Sequence, residues 1–359
     1  MEFVKQTSPY IRKDNANTKR MMIDVLIALM PVVVFAIFRF GMDAVVRIVV
    51  SLIVMIGLEA VAFAMTQRAK GNDFKERIKS RFQKYTINHV TAPAVSAIIY
   101  AMIIPSQLPL YAVIVGAVFA IVVVKMMFGG LGSNIFNVAA AGRIFISIAL
   151  TGMFAGVYAG VDAVAGATAL TASNSMGFPN ILYSYSIKDL FFGLVPGTMG
   201  EVSAFAILIG LVYLLVRKTA DYRLVLSTGL TFIVLMTIVG IIQYESDWFS
   251  FVLFQLLSGG LLFGLVFMVT DPVTAPVTRP GRLIYGLIIG SVIVFIRIFG
   301  SYAEGVAFAL LFANVFAPLI DYPSWSSNKY SKKFIIGFSI ACLLVIGVVV
   351  SALLVGGAA

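Results

Sequence analysis

Charge is scarce in this chain. Asp, Glu, Lys and Arg make up 12% of its 359 residues, where an ordinary soluble domain carries about 25%. Sulfur and imidazole are scarcer still, with one cysteine, Cys342, and one histidine, His89. An intrachain disulfide is therefore excluded. So are a Cys-ligated iron–sulfur cluster, a structural zinc site and a bis-His haem built from this chain alone. Redox chemistry here would need a cofactor that takes neither sulfur nor imidazole ligands. What fills the chain instead is apolar: 60% of residues are hydrophobic and the mean hydropathy is +1.02. That composition excludes a soluble globular domain, a disordered tail and a nucleic-acid binder, despite the net charge of +10. The basic excess has a membrane explanation, since Lys and Arg collect on cytoplasmic loops.

A transmembrane helix needs about 20 mostly apolar residues. Runs of that kind lie near 22–40, 43–66, 89–105, 108–127, 135–155, 199–217, 223–243, 249–270, 283–299, 304–320 and 334–355. The expected fold is thus an all-α polytopic membrane protein with ten or eleven spans. The run 89–105 is short and holds Pro93, and 135–155 carries Asn137 and Arg143. The first run follows a polar stretch and exceeds a signal-peptide core, so it reads as a retained span. With the N-terminus cytoplasmic and the spans alternating, 21 of the 26 basic residues fall on the inner side, a strong positive-inside bias. The same topology puts 156–198, rich in Gly, Ala, Ser and Thr, outside the membrane.

Thr-Ala-Pro occurs twice after Val, at Thr91–Pro93 and Thr274–Pro276, and Asn137-Val138 is echoed by Asn314-Val315. Offsets near half the chain suggest two five-span halves, which would be inverted because five is odd. The organisation read from this is a tail (1–21), a first repeat (22–155), an outer loop (156–198), a second repeat (199–321) and a cytoplasmic loop with an extra helix (322–359).

Three features could carry chemistry. The outer loop contains Asp162, then Gly166-Ala167-Thr168. It is an uncrowded backbone around one hydroxyl, open to a modifying enzyme, or simply a flexible loop. The stretch from Gly129 and Gly130 through Asn134 and Asn137 to Arg143 combines turn-forming glycines with two carboxamides three residues apart. On a helix the two would share a face and could read the donor and acceptor edge of a heterocycle, or only join neighbouring helices. Arg143 within a span should face the protein interior, a phosphate or a water-filled cavity. Third are the acids Asp24, Glu59, Glu201 and Glu304, candidates for ion or proton ligands, or solvated and structural groups.

Taken together, the motif at Asp162–Leu170, the glycine–asparagine stretch at 129–137 and the run Thr270–Thr278, continuing through Arg297–Gly300 and Tyr302–Val306 to Ala317–Asp321, carry a resemblance. The chain resembles the family formed by RnfD of the ion-translocating Rnf electron-transfer complex and NqrB of the sodium-pumping NADH:quinone oxidoreductase, over roughly residues 10–325. The resemblance implies two inverted five-helix repeats like those of urea transporters. It also implies FMN in phosphoester linkage to Thr168, attached by a flavin transferase within a motif that includes Asp162, Gly166 and Ala167. A non-covalent riboflavin would lie by Asn134 and Asn137, and electrons would pass between the two flavins.

Two positions depart from the family pattern: Ala165 replaces a serine, and Val138 replaces a proline, which weakens the expectation of a helix break there. The short N-terminal tail favours the Rnf branch. The implied setting is the prokaryotic cell membrane, among lipid and the other membrane, iron–sulfur and flavin subunits of a translocase. The chain has no nucleotide-binding glycine fingerprint, so NADH or ferredoxin chemistry would belong to those partners. The competing reading is a urea-transporter-like solute channel without a redox cofactor, since fold alone does not separate the two.

Overall fold

The computed structural model describes residues 18–69, 73–152, 170, 178, 180–201, 203–300, 305–322 and 329–356. Among these the regular structure is entirely helical. The first half contains α1 (Thr18–Phe40), α2 (Met42–Thr66), a short amphipathic α3 (Phe74–Phe82), α4 (Asn88–Met102), α5 (Leu110–Val118) and α6 (Val138–Ala149). Helix α5 runs on as a π-helical segment, Phe119–Met126. The second half adds α7 (Ile181–Ser184), α8 (Ile187–Phe192), α9 (Ala204–Val216), α10 (Tyr222–Tyr244), α11 (Trp248–Leu257), α12 (Leu261–Phe263), α13 (Arg279–Phe299), α14 (Val306–Asp321) and α15 (Lys332–Gly356). A second π segment, Gly264–Met268, extends α12.

Five stretches are long and apolar enough to cross a bilayer unaided: α1, α2, the region Tyr222–Leu257, α13 and Lys332–Val355. The other expected spans are shorter or interrupted. Helix α6 has 12 residues and α9 has 13, so each is only about 18–20 Å long against a hydrocarbon core of about 30 Å. Irregular backbone adjoins both, a form tolerated at membrane depth only where protein rather than lipid surrounds it. The run 249–270 breaks at Gly259 and Gly260, whose φ angles of +66° and +67° belong to the left-handed region that glycine enters freely. Arg297 of α13 serves the carbonyls left exposed there, donating to the oxygens of Gln255, Ser258 and Gly259. On the opposite half Arg47 of α2 donates to Leu108 O at 2.8 Å. Two buried guanidinium groups thus close backbone that no lipid could satisfy.

Within the first half α2 packs on α4 and α5, and α5 on α6. Within the second, α10 packs on α11 and α13, and α13 on α14. The halves meet where α1 lies along α9 and α6 lies against α14. The two Thr-Ala-Pro copies sit in different local structure: Thr91–Pro93 is in the first turns of α4, whereas Thr274–Pro276 is in the irregular connection between the second π segment and α13.

Small residues set the closest approaches. A Cβ at Gly210 would stand 2.6 Å from Ala28 O and 2.8 Å from the Phe267 ring, whereas one at Gly57 would meet nothing within 4 Å. Overpacking of this kind costs about 1–3 kcal/mol, while Gly→Ala within an open helical face gains about 0.5–1 kcal/mol. Gly210→Ala should therefore lower the Tm of the purified protein and Gly57→Ala should hold or raise it. Equal Tm values for the two variants would contradict this packing.

Candidate functional site

The site is built from chain breaks. Ahead of α6, Gly129, Gly130 and Gly132 adopt φ of +110°, +85° and +85°, turning the chain out of the π segment and back toward the helix start. Asn137 caps α6: its Oδ1 accepts from Ala140 N–H at 3.1 Å. The helix therefore starts here without the family's proline, because Asn at the cap satisfies the orphan amide of Ala140 in the first turn. Asn134 lies in the preceding loop, with Nδ2 donating to Phe136 O at 3.0 Å. The two asparagines do not share a helical face, as spacing alone suggests. They converge because the loop folds onto the helix start.

Both line one cavity. It encloses about 80 Å³ and is bounded by α1, α4, the first π segment, the start of α6, α9 and the connection after the second π segment. Phe267, Val266, Val95 and Ile99 supply apolar wall, and Lys125, Asn134, Asn137 and Asp271 supply polar groups. Asn137 Nδ2 reaches Asp271 Oδ2 at 3.4 Å. The Asp271 carboxylate also accepts from Val273 N–H at 3.1 Å and from Thr274 Oγ1 at 3.2 Å. A further carboxamide backs the cap: Asn314 of α14, 1% exposed, sits beside the Tyr285 hydroxyl with its oxygen turned to accept from Asn137 N–H at 3.0 Å.

The connection bearing Asp271 is pinned from its far end. Asp321, at the end of α14, accepts from the N–H groups of Val277 and Thr278 at 2.7 and 3.0 Å. Two segments of the sequence resemblance, 270–278 and 317–321, are thus one piece of architecture.

Lys125 corrects the sequence reading. The sidedness of the spans counts it among the loop charges on the inner side, but it is 2% exposed. Its ammonium forms an ion pair with Glu59, which is 1% exposed, and it lines the same cavity as Asp271. The π segment carries it to the cavity, because the wider turn re-aims the side chains that follow. Behind Glu59, His89 Nδ1 lies 3.8 Å from the carboxylate, and His89 stacks on Tyr85 with ring centroids 5.3 Å apart. Burial, with the Glu59 charge behind it, pushes the Tyr85 phenol above its ordinary range.

The remaining expected residues divide as follows. Arg143 is buried within α6 and does not line the cavity. Asp24 is tied down by Arg217 at 3.1 Å and by Thr219 at 2.9 Å, so it joins α1 to the end of α9. Glu201 packs over Gly260 at the α11–α12 break, away from the asparagines. Thr168, Asp162, Gly166, Ala167 and Glu304 lie outside the described residues, as does the loop boundary drawn at 155–156, whereas the tail boundary drawn at 21–22 falls inside α1, which starts at Thr18. Lys125 and Asp271 are not among the residues that the sequence marks for the site. Their signals are a lysine inside an apolar run and an Asp-Pro directly after one. Among the described residues no cluster of three or more His, Cys, Asp or Glu could hold a metal ion.

Comparison with known proteins bears on this architecture. The NqrB protein of the Na(+)-translocating NADH-quinone reductase of Ectopseudomonas mendocina is 32% identical over 356 residues, covering 89% of this chain and 87% of that protein. Its counterpart in Stutzerimonas stutzeri is 32% identical with the same coverage. That of Chromohalobacter salexigens is 32% identical over 237 residues, 64% of this chain and 57% of that protein, so this last match spans little more than half the relative's length. A family model described as NQR2, RnfD, RnfE matches residues 4–329, and the chain belongs to that family.

Proposed function

We propose that this chain is a flavin-carrying membrane subunit of an ion-translocating electron-transport complex of the Rnf or NADH–quinone reductase type. Membership of the NQR2, RnfD, RnfE family and the similarity to NqrB of sodium-translocating reductases support the membrane-subunit part. The observation that carries the flavin part is the cavity at the start of α6. A flat heteroaromatic ring needs apolar walls on its faces and convergent hydrogen-bonding groups on one edge. Phe267 and Val266 face a cavity that also presents two carboxamides, a carboxylate and an ammonium. The donor set fits a neutral heterocycle such as riboflavin, since it offers both donors and acceptors. When bound, a flavin supplies one- and two-electron transfer, and the protein's part is orientation and electrostatics.

In this reading Asn134 and Asn137 hold the ring edge, and Asp271 and Asn314 hold Asn137. Thr168 carries the covalent FMN, with Asp162, Gly166 and Ala167 serving recognition by the flavin transferase. The Rnf branch, the partner subunits and the placement of Thr168 outside with the N-terminus inside belong to the same proposal. Replacing Asn134 and Asn137 by Leu removes amide hydrogen bonds worth about 0.5–1.5 kcal/mol each. Extractable riboflavin should drop severalfold in the double variant while covalent FMN is retained. Unchanged riboflavin would return the pair to a purely structural role.

An electron crossing the bilayer moves charge through the membrane potential, at about 2.3 kcal/mol per 100 mV, so intramembrane acids are candidates for the coupled ion path. Glu59→Gln keeps an acceptor for Lys125 but takes away its counter-charge, so it is compared only in complexes that still assemble; Glu201→Gln removes the acid at the α11–α12 break. In reconstituted complexes both should lower ion uptake more than electron transfer. A normal ion-to-electron ratio in both variants would eliminate these two acids as pathway residues.

A further inference from the structure

Helix α15 begins beyond residue 329, where the family match ends, and it leans on α10 and α13 without sealing against them. The crevice between them measures about 450 Å³. Leu226, Leu230 and Val234 of α10, Leu287 of α13, and Phe338 and Ile346 of α15 make its walls almost wholly apolar. It lies along the first halves of the three helices, which begin at Tyr222, Arg279 and Lys332.

That end is strongly basic. Arg223 and Arg282 share the carboxylate of Asp221, while Asp321 nearby is held by Val277 and Thr278. Tyr330 lines the crevice together with Arg223. Lys329, Lys332 and Lys333 are exposed beside it, and residues 329–359 contain no acid.

An apolar slot running from a basic rim is complementary to an anionic amphiphile and to little else. A soluble anion has no use for the slot, and a neutral lipid has none for the rim. Basic pockets between transmembrane helices are a recurrent form of acidic-lipid recognition. We propose that an anionic diacyl phospholipid occupies this crevice as a structural lipid. One acyl chain lies between α10 and α15 and the phosphate rests against Arg223, Lys332 and Lys333, so that the lipid joins α15 to the rest of the helical body. The proposal does not depend on the flavin reading.

The test uses the purified complex, washed in mild detergent and then offered dioleoyl phosphatidylglycerol or dioleoyl phosphatidylcholine, with bound lipid counted by native mass spectrometry. Phosphatidylglycerol should be retained about tenfold more than phosphatidylcholine, a difference of about 1.4 kcal/mol. Val345→Trp, which fills the crevice, should reduce retained phosphatidylglycerol about tenfold. Leu354→Trp, on the outward face of α15, should leave it unchanged. The triple variant Lys329→Glu, Lys332→Glu, Lys333→Glu changes only exposed positions, so its packing is intact and it tests the rim alone: it should erase the preference for phosphatidylglycerol. Equal retention of the two lipids by the unaltered complex would overturn the proposal. So would undiminished phosphatidylglycerol in Val345→Trp, a surviving headgroup preference in the triple variant, or co-purification of a neutral isoprenoid lipid in place of phospholipid.

Discussion

If Thr168 carries FMN as proposed, the denatured chain gives a fluorescent band in a gel, and Thr168→Ala is expected to abolish it and to lower the intact mass by one esterified flavin phosphate. The argument is chemical. A phosphoester to the chain needs a side-chain hydroxyl, and an enzyme that attaches a bulky group needs small neighbours around it. Gly166 and Ala167 provide these immediately before Thr168. Thr171, three residues on, has the same hydroxyl without that preceding pair, so Thr171→Ala should keep the band. Thr168→Ser preserves the nucleophile and should retain partial modification. Persistence of the band in Thr168→Ala would displace the linkage to another residue. A complete lack of fluorescence in the unaltered protein would favour the solute-channel reading instead.

Lys125→Met should be the most damaging single substitution in the described membrane core. It leaves Glu59, 1% exposed, without the ammonium that neutralises it, and breaking a buried pair from one side costs about 3–5 kcal/mol. The expected result is a large fall in the Tm of the detergent-solubilised protein and loss of extractable riboflavin, since Lys125 also lines the cavity. The double variant Lys125→Met, Glu59→Leu removes both charges together, and replacing a buried pair by apolar groups is often close to neutral. Its Tm should recover most of the loss while riboflavin stays low. A double variant no more stable than the single one would show that Lys125 and Glu59 are not energetically coupled.

The amino-acid sequence by itself determined the solvent of this protein and the broad plan of its helices. Hydropathy sums over twenty residues, so α1, α2, α10, α13 and α15 could be read from local composition alone. The asparagines of the site were legible for a similar reason: Asn137 is a polar group near the start of an apolar run and Asn134 stands just before that run, next to glycines that turn the chain.

What local composition could not give is where a helix stops inside the membrane. That depends on whether a distant group serves the backbone freed by the break. Arg297 does so for Gln255, Ser258 and Gly259, and Asp321 does so for Val277 and Thr278. The cavity follows the same rule. Lys125 reads as a loop charge until Glu59, sixty-six residues away, makes its burial tolerable. Asp271 reads as the end of a span until Asn137, one hundred and thirty-four residues away, meets it. A charge or a broken turn in a low-dielectric interior is stable only with its partner in place, and partners so far apart along the chain are chosen by the tertiary fold.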